Sequence, residues 1–90
     1  MHNKAKVQTA LKKTSSLIAK IQKMAEEDKY CIDVIQQVLA AQGLLRSVTD
    51  TLLEGHLSHC FRTAMQSGNA KRQEEITAEL LKIMRTAQKK

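Results

Sequence analysis

"CIDVIQQVLAAQGLLRSVTDTL", residues 31–52, is the stretch that decides the fold. Its positions 31, 34, 38, 41, 45, 48 and 52 (Cys, Val, Val, Ala, Leu, Val, Leu) alternate steps of three and four. That is the heptad seam of a helix packed lengthwise on a similar helix. No breaker stronger than Gly43 or Gly55 interrupts the chain from about residue 28 to 66. One long helix is predicted there, well over about 50 Å at about 1.5 Å per residue. The acids of "EEDKY" (26–30) suit the start of that helix, because a helix N-terminus favours negative charge and a C-terminus does not.

On the N-terminal side, residues about 4–25 predict a shorter amphipathic helix. Val7, Leu11, Thr14, Ile18, Ile21 and Ala25 form one apolar stripe. Lys6, Lys12, Lys13, Lys20 and Lys23 gather on the opposite face. On the C-terminal side, "SGN" (67–69) is a helix stop. Residues about 70–87 then predict a third helix with Ile76, Leu80, Ile83 and Met84 inward. The whole chain, 1–90, reads as one all-α domain. The first helix is too short to cover the long seam, and so small a chain buries little core alone. The seam therefore calls for a second copy: an antiparallel helical-bundle homodimer is predicted.

Composition agrees and narrows the function. The 90 residues include no Pro, three Gly, one Tyr, one Phe and no Trp. The longest apolar run is "VLAA" (38–41), far short of the roughly 18 residues a membrane span requires. The N-terminus carries no secretory apolar core, so a cytoplasmic location is expected, where Cys31 and Cys60 remain thiols. There is no Gly-rich phosphate loop, no acid pair in a defined pocket and no nucleophile–base–orienter set. No enzyme and no small-molecule substrate are expected.

The net charge of +6 is unevenly placed. Residues 1–25 hold six lysines and no acid, whereas the remaining bases and acids cancel. A basic ridge on one helix predicts a polyanionic partner, nucleic acid or anionic membrane; the alternative is a solvated helix face.

"EGHLSHC" (54–60) places His56 and Cys60 four apart, one turn apart on a single helical face. A third donor would have to be Cys31, but 25 intervening steps of helix separate it from His56 by about 38 Å. In an antiparallel dimer, Cys31 of one subunit faces His56 and Cys60 of the partner subunit, twice per dimer. The other reading of Cys31 is a small buried hydrophobe on the seam. His59 falls off the His56–Cys60 face, and His2 lies close to the terminus.

"DKYCIDVIQQVLAAQ", followed by "HLSHC" with His56 25 residues after Cys31, resembles the copper-sensitive operon repressor (CsoR) family. That family includes copper, nickel/cobalt, formaldehyde and persulfide sensors, and the likeness covers about residues 11–85. It implies an antiparallel helical dimer, commonly a tetramer as a dimer of dimers. It implies operator DNA binding in the apo form and release on ligand binding. It also implies Cu(I) ligation by Cys31, His56 and Cys60, with Tyr30 and Glu79 at supporting positions. Two thiolates and an imidazole are a soft donor set, suited to Cu(I) rather than to oxygen-seeking Mg²⁺ or Ca²⁺. Zn²⁺ would need a fourth ligand.

One departure concerns the first helix. The family's Arg-x-x-Gly-Gln stretch is replaced by "KKTSSL", with Lys13 for the Arg, Ser16 for the Gly and Leu17 for the Gln. Charge is kept but the bidentate guanidinium is lost. DNA binding is expected to rest on Lys6, Lys12, Lys13, Lys20 and Lys23 and to be dominated by phosphate contacts and DNA shape. Two other functions fit the same residues: a thiol or persulfide sensor acting through Cys31 and Cys60, and a copper-binding helical dimer without DNA binding.

Overall fold

The computed structural model describes residues 3–88 and is helical almost throughout. Helix α1 spans Lys4–Glu26, α2 Cys31–Gly55, a π-helical turn His56–Phe61, α3 Arg62–Gln66 and α4 Ala70–Gln88. Helical assignment runs unbroken from residue 31 to 66, so the three-helix reading holds. The long helix changes type at its ligand-bearing segment. The chain divides into two compact units, Met1–Leu53 and Glu54–Lys90.

In the first unit, α1 and α2 form a helical hairpin joined by residues 27–30. The acids at the joint end α1; they do not begin α2. Asp28 adopts φ 52, its N–H donates to the Ala25 carbonyl (3.2 Å), and the Lys29 N–H donates to the Met24 carbonyl (3.0 Å). This is a Schellman closure with Asp in the left-handed position, a conformation that Asp and Asn adopt more readily than other side-chain-bearing residues. The second helix therefore starts at Cys31 and not at 28. The Tyr30 carbonyl accepts the first N–H groups of α2, from Asp33 (3.0 Å) and Val34 (3.2 Å).

The inward row on α1 is 7, 10, 14, 17, 21, 24, and on α2 it is 34, 37, 41, 44, 48, 51. Val7, Thr14, Ala41, Val48 and Thr51 are buried, and the others are half-buried. Each row alternates steps of three and four, as expected for two helices packed side by side. The buried Thr14 hydroxyl donates to the Ala10 carbonyl at 2.7 Å, so its burial leaves no unmet hydrogen bond.

The predicted α1 stripe is thus half right, and the α2 seam, expected to pack on a second copy, divides between the hairpin interface and the exposed surface. Val7, Thr14 and Ile21 on α1, and Val34, Ala41 and Val48 on α2, face inward. Leu11, Ile18 and Ala25, and Cys31, Val38, Leu45 and Leu52, are exposed. Each helix carries two adjacent apolar stripes, and the sequence periodicity merges them into one. Small residues (Ala10, Thr14, Ala41, Thr51) take four of the inward positions, beside Leu17, Ile21, Met24 and Leu44. The larger aliphatic residues Val38, Leu45 and Leu52 lie on the outer one.

In the second unit, α4 packs on α3 and on the π turn. "SGN" ends α3 as expected. Gly68 takes φ 72, the Ser67 hydroxyl donates to the Ala64 carbonyl at 2.6 Å, and Asn69 caps α4 by accepting the Arg72 N–H at 3.1 Å. The Gln73 side-chain amide donates to the Met65 carbonyl across the turn at 3.0 Å. Ile76 is fully buried and Leu80 half-buried. Ile83 and Met84, expected inward, are 52% and 47% exposed. Within this unit α4 packs on α3 and the π turn, residues 56–66, and Ile83 and Met84 lie toward the far end of α4.

Asn69→Ala removes a side-chain cap and is expected to destabilise the fold by about 0.5–2 kcal/mol, whereas Asn69→Gly should cost only a few tenths. Urea melts followed by circular dichroism check this. Equal losses for both variants would show that the cap hydrogen bond is not what holds the turn.

Candidate metal centre

Cys31 is the first residue of α2, a free thiol exposed to solvent. Tyr30 precedes it, with its ring exposed and its carbonyl serving as the cap acceptor of α2. His56 opens the π turn and is half-buried; Cys60, in the same turn, is an exposed free thiol. The expectation that His56 and Cys60 lie one α-turn apart is corrected in detail. In a π-helix each hydrogen bond reaches five residues, so four steps fall short of a full turn where in an α-helix they overshoot one. Both donors still belong to one turn. Single π turns within α-helices are found frequently at functional sites.

Among the described residues, no three His, Cys, Asp or Glu side chains gather into a metal-holding group. One chain thus offers a single thiol at the head of α2 and a His–Cys pair in the π turn. The two thiols, unpaired and accessible, and the imidazole form a soft set that fits Cu(I). Glu79 is exposed on α4. His2 lies outside the described residues.

The five lysines Lys6, Lys12, Lys13, Lys20 and Lys23 are all exposed along α1. Lys6 and Lys13 border a groove of about 390 Å³ whose far wall is Leu44 and Ser47 of α2. Sequence reading confined the basic surface to the first helix and missed Ser47. Its signal is the run of small residues, Ala5, Thr9 and Ala10, which leaves room between the two helices. A second feature, the neighbourhood of Cys60 and Arg72 on one groove, was hidden by the intervening Ser-Gly-Asn turn.

Residues 3–86 match the family model for metal-sensitive transcriptional repressors. The chain is 34% identical over 82 residues to the copper-sensing transcriptional repressor CsoR of Bacillus subtilis (strain 168), covering 91% of this chain and 78% of that protein. It is 47% identical over 58 residues to the copper-sensing transcriptional repressor RicR of Mycobacterium tuberculosis, covering 64% of this chain and 60% of that protein. The fold is similar to the crystal structure of the copper-sensing repressor CsoR with Cu(I) from Geobacillus thermodenitrificans. That match has a TM-score of 0.86 and 33% identity, over 94% of this chain and 85% of that one.

Proposed function

Because the chain belongs to the family of metal-sensitive transcriptional repressors, we propose that it is a Cu(I)-responsive repressor, binding operator DNA in the apo form and releasing it once Cu(I) is bound. The observation that carries this is the donor set: two accessible unpaired thiols and a half-buried imidazole, two of the three within one π turn. Relatives across most of the chain are copper-sensing repressors, and the similar crystal structure is of a Cu(I) complex. Members of this family are regulators of transcription and not enzymes.

Cys31 of one subunit and His56 and Cys60 of the partner subunit are the ligands in this reading. Cu(I) supplies a soft acid that sulfur and nitrogen donors share without a fourth ligand. Tyr30 directly precedes Cys31, and the family resemblance gives it and Glu79 of α4 supporting roles beside the ligands. The antiparallel homodimer is supported by the outer row of the hairpin, where Val38, Leu45 and Leu52 remain exposed in the single chain; the family resemblance adds the pairing of two dimers into a homotetramer. Lys6, Lys12, Lys13, Lys20 and Lys23 contact DNA phosphates. Linkage then ties the two sites: whatever favours the ligand-bound arrangement weakens DNA binding by the same factor, typically about 5- to 150-fold.

A second reading is favoured by one observation, the accessibility of both thiols: a thiol or persulfide sensor acting through Cys31 and Cys60. X-ray absorption on the Cu(I)-loaded protein separates the two. One Cu(I) per chain with sulfur-rich three-coordination is expected, with affinity lost in Cys31→Ala, His56→Ala and Cys60→Ala. A spectrum without Cu–S scattering, or full affinity in both cysteine variants, would leave the thiol reading in front.

A further inference from the structure

Gly43 has no explanation inside its own chain. It lies midway along α2, where glycine is the least favourable residue after proline. Its φ is not positive, so the backbone does not require a glycine. A Cβ at this position would meet no atom beyond its own helix backbone within 4 Å. Nothing within the chain presses on it. A glycine beside open space does, however, let a second backbone approach more closely than any other residue would.

One turn earlier on the same side of α2 stands Leu39. No Ile, Leu or Val of α2 is more exposed, at 59%. At about 100° per residue, Ile32, Leu39 and Gly43 turn away from the inward row 34, 37, 41, 44, 48, 51 and from the row of Val38, Leu45 and Leu52. Ile32 is also exposed. Gln36, Arg46 and Asp50 complete this side of the helix. With one base and one acid the face is neutral, so two copies meet without the repulsion that the lysines of α1 would bring. A projection and a hollow one turn apart make the face self-complementary. If Leu39 of one copy enters the hollow at Gly43 of another, a two-fold axis places the second Leu39 at the first Gly43. A partner of different sequence calls for no such matched pair on one face.

We propose that this face of α2 is a second self-association surface, on which Leu39 of each copy packs against Gly43 of the other. It is separate from the Leu45 row and joins dimers rather than single chains. A dimer presents the face twice, and both copies engage when two dimers meet, whereas a monomer offers one weak contact. The proposal rests on the dimer reading for that valency, and not on Cu(I) or DNA binding.

Sedimentation velocity of the full-length apo protein over a wide concentration range tests it. The wild type is expected to pass from dimer to tetramer. Leu39→Ala and Gly43→Leu should each raise the dissociation constant of that step by at least about tenfold and leave the dimer in place. Gly43→Leu introduces a strong helix former, so the helical circular dichroism should be retained and lost assembly is not lost fold. The chain carrying both changes is decisive, because projection and hollow have exchanged places. It should assemble at least about threefold more tightly than either single variant, a non-additivity expected only of residues in contact. Leu45→Glu separates this face from the dimer reading. If that change leaves assembly intact while Gly43→Leu disrupts it, the Leu45 row fails and the Leu39 face stands. Gly43→Leu assembling as well as the wild type, or a doubly changed chain assembling no better than the single ones, would overturn the proposal.

Discussion

Cu(I) added to the apo protein on its own upstream DNA is expected to release it, with affinity falling by a factor within the roughly 5- to 150-fold span typical of allosteric coupling. His56→Ala should remain bound under the same conditions, because it lacks one of the three proposed donors while its DNA-facing helix is unaltered. The affinity itself should come from α1. Its lysines are exposed along the helix, and residues 1–25 contain no acid to offset them. Phosphate-dominated binding predicts that log K falls with log[salt] at a slope near −0.9 for each phosphate neutralised. Lys12→Ala with Lys13→Ala should weaken binding and flatten that slope, leaving Cu(I) affinity unchanged because neither lysine is on a ligand-bearing helix. Fluorescence anisotropy across a salt series measures both quantities. Should the apo protein hold its upstream region no better than random DNA, the regulator reading fails. The replacement of the Arg-x-x-Gly-Gln stretch by "KKTSSL" would then be its first explanation.

The helical fold was legible because the chain has no proline and strong periodicity, and the helix count follows from "SGN" and from the acids at 26–28. The position of the first turn was not legible. A left-handed closing residue is usually Gly, and here it is Asp28, so the acids read as a helix start. The buried face was legible only to within one row. Thr14, Gln37 and Thr51 occupy inward positions that a search for large apolar residues passes over, while Leu11, Ile18 and Leu45 attract the stripe outward. The π turn has no compositional mark: His, Leu, Ser, His, Cys and Phe would all sit in an α-helix. The candidate ligands are nominated by residue type and spacing, because soft donors are few in this chain. Tyr30 and Glu79 came from family resemblance alone, since nothing in an exposed Tyr or Glu distinguishes it from its neighbours.

Chains carrying Cys31→Ala mixed with chains carrying Cys60→Ala are expected to regain Cu(I) binding that neither has alone. In a mixed antiparallel dimer, the intact Cys31 of the second chain meets the intact His56 and Cys60 of the first. One of the two sites is whole and the other lacks both thiols. Random mixing should restore about a quarter of all sites, since about half of the dimers are mixed. The register follows from the outer row of the hairpin. Val38, Leu45 and Leu52 are spaced by seven and exposed in the single chain, Leu45 at 45%. A two-fold axis at Leu45 sets that leucine against its own copy and Val38 against Leu52 of the partner subunit. Continued outward by seven, the same register brings Cys31 opposite position 59 of the partner, between His56 and Cys60. Leu45→Glu is the matching disruption. It places two carboxylates on the axis while leaving the inward rows of α1 and α2 untouched, so the chain should stay helical, sediment as a monomer and lose Cu(I) binding together with its partner. Mixed dimers that demonstrably form yet regain no site would exclude the antiparallel arrangement. A Leu45→Glu chain that still sediments as a dimer would move the interface off this row.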